Sequence, residues 1–354
     1  MRGSPLARFF LVVYVLLVVY ASLYPLEGWR DPGGSAFAFL AAPWPRYVTA
    51  FDVAANFFAY APVGLLCALA AFPGLRGAGA VVFAGLAGTA LSLALEAGQS
   101  YLPARIASNL DVLCNAGGAV AGGAAAVRLA PWLLEAGPLK RLRETTFLPG
   151  AGNDLGLVLL GLWLFIQLNP ATLLFGAGDL RDLLQAPAGP AHAPRLFISI
   201  EATTAAANLV AVSLLAAALA VPGAPVRVLI AALVAAALAV KTLAFAILMS
   251  AEDVFAWLTP GAVQGLAAGA LLAFAAVALP RTARLALAAV LLMSATVLVN
   301  LAPANPYLGA SLKVWEQGSF LNFNGLTHLV SAAWPFAALG YLIALAARVK
   351  SAPS

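Results

Sequence analysis

Two stretches of the chain share one pattern of hydrogen-bonding side chains. Thr49-Ala50-Phe51-Asp52-Val53-Ala54-Ala55-Asn56 and Ser108-Asn109-Leu110-Asp111-Val112-Leu113-Cys114-Asn115 both place a hydroxyl, then Asp-Val, then Asn at fixed spacing, with Gly64 and Gly123 equally far beyond each Asn. Both copies fall where a long apolar helix begins. Carboxylates and carboxamides are costly beside lipid, so their repetition in equivalent places makes them candidates for function. They offer fixed oxygens to the donors of a ligand or to a hard cation such as Mg²⁺ or Ca²⁺. Between the copies, Glu96 and Gln99 share one helical face with Ser92 a turn deeper, and Arg105 follows in a short loop. At roughly 1.5 Å per residue, Glu96 lies about 10 Å below the boundary at Pro103, and Asn56 and Asn115 about 6 Å past Asp52 and Asp111. All of these groups can share the outer leaflet as a polar pocket open to the extracytoplasmic side, with Arg105 a cation at its mouth.

A local explanation competes with that pocket. Thr49-x-x-Asp52 and Ser108-x-x-Asp111 are capping-box patterns, in which hydroxyl and carboxylate satisfy the first amides of a helix and favour its dipole. Capping does not call for Asn56, Asn115 or Glu96. Those residues either glue helices together by mutual hydrogen bonds or form a site.

The elements that must position them are membrane helices. Hydrophobic residues make up 63% of the chain and charged residues 9%, and continuous apolar runs near the ~20 residues that span a bilayer as helix exclude an alternating β-barrel pattern. The expectation is an all-α, polytopic integral membrane protein of ten transmembrane helices, at about 8–26, 52–72, 79–102, 109–131, 153–174, 196–221, 228–249, 260–279, 284–302 and 325–348. Placing both termini in the cytoplasm puts twelve Lys and Arg inside against six outside, as the positive-inside rule requires. The first segment reads as a retained anchor rather than a cleaved signal. The net charge of +5 belongs to flanks that meet anionic membrane lipids, and nucleic acid is not a partner.

Three regions follow: a four-helix unit over 1–130, a basic cytoplasmic linker over 131–152 carrying Lys140, Arg141 and Arg143, and a six-helix extension over 153–354. Cys67 and Cys114 lie at different depths and cannot pair, and His192 and His328 offer no zinc ligand set. Gly118 and Gly122, and Gly261, Gly265 and Gly269, have the spacing of close helix packing. Trp29, Trp44, Trp132, Trp257 and Trp315 fall near span ends, as an interfacial belt. Glu201 and Lys241 fall at similar depth and are expected to pair. The segment Asn305 to Gly325 mixes aromatics, amides and glycine, as an interfacial loop or a lid over the pocket would.

Asp52, Asn56, Pro62, Gly64, Glu96, Gln99, Arg105, Asp111, Asn115 and Gly118, in this order over three helices, resemble the VanZ-like family, named for an accessory protein of glycopeptide resistance. The resemblance covers about residues 1–130 and implies a bacterial cytoplasmic (inner) membrane protein tied to envelope stress or glycopeptide tolerance. It carries over no biochemical activity. The first functional expectation is an envelope protein that binds a lipid-linked or cell-wall-related ligand through Asp52, Asn56, Glu96, Gln99, Arg105, Asp111 and Asn115, without a cofactor. The second is an enzyme in which Asp52, Glu96 and Asp111 hold Mg²⁺ or Ca²⁺ while Arg105 clamps a prenyl phosphate for hydrolysis or transfer. The third is a transporter, for which ten helices and intramembrane charges speak.

Overall fold

The computed structural model describes residues 3–135, 137–181, 194–249, 254–303, 305, 307 and 321–351. Among these the chain forms eleven α-helices and no strand. Two compact units divide between Thr145 and Thr146.

Unit 1 contains α1 (Pro5–Leu23), α2 (Ala50–Ala71), α3 (Gly77–Gln99), α4 (Asn109–Ala130) and the short α5 (Pro138–Thr146). Among the described residues eight helices are long and apolar enough to cross a membrane, and α1 to α4 belong to this set. The closest packing is between α2 and α4, the helices that carry the repeated motif. A Cβ on Gly118 would sit 2.1 Å from the Phe57 carbonyl oxygen, and one on Gly122 1.8 Å from that of Ala61, so the G-x-x-x-G spacing is what lets the two backbones touch. Packing brings the ends of α1 and α3 beside the starts of α2 and α4. The Gln99 amide donates to the Ser22 carbonyl at 3.0 Å. We call this the polar end of unit 1. At the opposite end, the expected linker is structured: a π-helical turn, Pro131–Glu135, leads into α5.

Unit 2 contains α6 (Ala151–Ile166), α7 (Pro194–Leu219), α8 (Val226–Leu248), α9 (Pro260–Ala276), α10 (Arg281–Leu301) and α11 (Leu321–Ser351). At 16 and 17 residues, α6 and α9 are shorter than the ten-span reading supposed. Proline explains the first: Pro170 disfavours a helical conformation at Asn169, and the chain leaves the helix at Gln167. Residues 167–180 then run through the unit without regular structure, mostly buried. Irregular backbone in such surroundings must find other partners, and side chains provide them. Gln167 accepts from the Phe175 N–H at 3.1 Å, and Asn300 accepts from the Leu180 N–H and donates to the Gly178 carbonyl. Lys241 donates to the Asn169 and Thr172 carbonyls at 2.7 and 2.8 Å.

These contacts correct the expected Glu201–Lys241 ion pair. Glu201 instead accepts from the Thr259 hydroxyl at 2.6 Å, while all three partners of the ammonium belong to the 167–180 segment. The two charges interact electrostatically without touching. Trp257, three residues before α9, is buried, whereas Trp29, Trp44 and Trp132 are exposed. Trp315 and residues 308–320 of the expected lid lie outside the described residues.

Candidate functional site

The two copies of the motif do different work. In the first, Thr49 caps α2 by accepting from the Asp52 N–H, and the Asp52 carboxylate returns to the Thr49 N–H at 3.0 Å, a closed capping box. Asp52 is exposed and satisfied locally, which holds its carboxyl in the cap rather than in a pocket. In the second copy Ser108 still accepts from the Asp111 N–H, at 3.4 Å. The Ser108 N–H, however, donates at 2.8 Å to Glu96 on α3. Glu96 has taken the place that Asp111 would fill in a closed box. Asp111 is thereby free to face α2, where the Asn56 amide donates to it.

A turn deeper the three helices are joined again. Asn115 on α4 donates to the Ser92 hydroxyl of α3 at 2.9 Å, and Ser92 is hydrogen-bonded in turn to the phenol of Tyr60 on α2. Asn115 is 3% exposed, and its Oδ1 has no hydrogen-bond partner. A second amide oxygen at this end, Asn109 Oδ1, is also buried without a partner, although its amide nitrogen donates to the Ala42 carbonyl at 2.8 Å. Tyr60 was not legible as a site residue; only its place one turn beyond Asn56 on the same face hints at it.

Arg105 does not project as a clamp. Its guanidinium donates to the Tyr24 and Ala21 carbonyls at 2.9 and 3.0 Å, closing the C-terminus of α1 as a cation does well there. Burial pulls its pKa below the ordinary arginine value and Glu96 opposes that shift, leaving a charged group. Gln99 is likewise committed to α1. Of the seven expected site residues, then, Asn56, Glu96, Asp111 and Asn115 form one connected cluster with Ser92 and Tyr60. Gln99 and Arg105 brace it from the side of α1, and Asp52 stands in the cap.

The cluster is rich in acceptors and short of donors. Two carboxylates and two unpartnered amide oxygens lie there, while the nearby N–H groups of Arg105, Gln99 and Asn56 are directed to partners in the chain. Among the described residues no three of His, Cys, Asp and Glu gather closely enough to hold a metal ion, so Asp52, Glu96 and Asp111 do not converge as the enzyme reading required. Around the cluster, Trp29, Phe37, Trp44, Tyr47 and Ile106 are exposed apolar side chains of the connecting segments. Such residues suit the headgroup layer of a bilayer.

The fold and this arrangement define a multi-pass helical membrane protein. Residues 9–130 match the family model described as VanZ/LLP1, so its N-terminal membrane unit is of the VanZ type. The match ends near the close of α4 and does not extend into unit 2. No curated protein and no solved structure matches the chain.

Proposed function

We propose that the polar end of unit 1 binds a lipid-linked or cell-wall-related ligand through hydroxyl or amine donors of its headgroup. The buried, unpartnered Asn115 Oδ1 carries this reading. An unmet buried acceptor costs about 1–3 kcal/mol, and a ligand donor recovers it. Asp111, Glu96 and Asn109 add acceptors of the same kind, as a sugar or amino-sugar headgroup would use. The exposed aromatic and aliphatic residues nearby suit the prenyl or acyl part of such a ligand lying in the membrane surface. The charge asymmetry of the sequence favours the extracytoplasmic face of a bacterial inner membrane for this end, and with the VanZ resemblance the reading expects altered glycopeptide tolerance when the site is lost.

Native mass spectrometry of the purified full-length protein tests the reading, with a short-chain prenyl-diphosphate disaccharide and the corresponding prenyl phosphate as probes. Retention of the saccharide-bearing lipid alone is the expected result. Equal retention of both, or of neither, overturns it.

A second reading, transport through unit 2, is favoured by one face of α7. Glu201, Thr204 and Asn208 lie within two turns on that face, and the Thr204 hydroxyl and both amide atoms of Asn208 are buried without partners. Buried polar groups of this kind mark proton or ion paths in membrane bundles. Proton flux into vesicles that is abolished by Asn208→Leu would support it; flux indifferent to that change would remove it.

A further inference from the structure

At the end of unit 1 opposite the polar cluster, four features coincide. A cavity of about 150 Å³ opens between α2, α3 and α4, lined by Ala68, Phe72, Ala80, Ala126, Val127 and Ala130. Its polar rim is Arg76, whose guanidinium stacks 4.7 Å from the centre of the Phe72 ring and pairs with Glu135 at 3.4 Å. From Glu135 the chain passes almost directly into α5, where Leu139 and Leu142, three residues apart and so on one face, are 46% and 60% exposed. Trp132, in the π-helical turn, is exposed as well. Finally, Arg76, Arg128, Lys140, Arg141 and Arg143 stand at this end against only Glu135 and Glu144.

The apolar walls of a pocket of this size suit an apolar guest. A short helix with exposed leucines and basic flanks lies in the plane of the membrane interface, its apolar side in the acyl region and its cations among headgroups. The rim cation is held by a half-exposed carboxylate, a partner that a phosphate can replace with better geometry for a guanidinium. We propose that this end of unit 1 is a binding site for an anionic phospholipid. One acyl chain enters the cavity, the phosphate takes Arg76 from Glu135, and α5 lies beside it with Leu139 and Leu142 in the acyl layer. The charge excess selects an anionic headgroup over a zwitterionic one, and the cavity demands a chain rather than a headgroup alone.

The test uses full-length protein in detergent micelles, titrated with phosphatidylglycerol or phosphatidylcholine and read by native mass spectrometry. Phosphatidylglycerol is expected to bind the more tightly. Arg141→Gln, on the exposed side of α5, and Arg76→Gln each weaken it about fivefold, the effect of one basic residue at an anionic surface. Ala130→Leu, which fills the cavity, weakens both lipids; should that variant fail to fold, Arg141→Gln still carries the test. Soluble glycerol phosphate does not displace the bound lipid. Equal binding of the two lipids, unchanged binding by Arg141→Gln, or displacement by glycerol phosphate overturns the proposal.

Discussion

Replacing Glu96 separates what its acceptor oxygen does from what its charge does. The side chain is 4% exposed and its Oε2 accepts from the Ser108 N–H at 2.8 Å. In Glu96→Ala that N–H, at the start of α4, loses its partner, a cost of about 1–3 kcal/mol, and one buried methylene is lost at about 0.8 kcal/mol. Relief of the repulsion between Glu96 and Asp111 offsets part of this, so the net loss is about 2 kcal/mol. Glu96→Gln keeps an acceptor of the same shape and removes only the charge; its stability should stay within about 1 kcal/mol of the original. Reversible unfolding in mixed detergent and dodecyl sulfate micelles measures both. Asp52→Ala provides the comparison, since its exposed capping box should cost only about 1 kcal/mol. If Glu96→Gln is as damaging as Glu96→Ala, charge rather than the hydrogen bond holds α3 to α4, and the exchange of capping partners is wrong. A harmless Glu96→Ala would refute the bond's role altogether.

Three further outcomes follow from the packing. Gly122→Ala should cost about 1–3 kcal/mol in the same unfolding assay, because its Cβ meets the Ala61 carbonyl and α2 must part from α4. Lys241→Met should cost roughly 2–5 kcal/mol by leaving the Asn169 and Thr172 carbonyls without a donor, and adding Glu201→Gln should not restore the loss. For Asp179, in the segment before α7, burial alone would raise the carboxyl, but hydrogen bonds and charge from Arg181 hold it below the usual carboxylate range. A depressed folded pKa gives stability that is present above the unfolded value near 3.9 and lost as pH falls through the folded one. Unfolding measured between pH 7 and pH 3 should therefore show an acid-side loss that Asp179→Asn reduces.

Hydropathy made the membrane helices legible because burial in lipid asks only for length and apolarity, and α1 to α4 meet both conditions. It overreached at α6, where apolar residues continue past the helix into a segment that is buried by unit 2 itself. Apolarity does not distinguish these cases; Asn169-Pro170 does. The repeated motif was legible as a pair, but its asymmetry was not, since the difference between Asp52 and Asp111 arises from a third residue, Glu96, reaching across from α3. The same holds for Lys241. Its depth matched that of Glu201, yet the carbonyls of a non-helical segment were the nearer partners, and backbone acceptors have no sequence signature. Tyr60 escaped notice because a phenol in an apolar helix resembles packing until Ser92 is placed against it.

The binding reading is that Asp111 and Asn115, together with Glu96 and Asn109, present acceptors to one ligand. Its most direct measurement is the affinity of the prenyl-linked disaccharide for the original protein, for Asn115→Ala, for Asp111→Asn and for the double variant, each shown to be folded by its melting temperature. Groups that act on one ligand as a unit give non-additive losses. Each single variant should lose most of the binding while remaining folded, and the double variant should lose little more. Binding that survives both substitutions, or that declines only in step with stability, would contradict it and return these residues to holding the helices together.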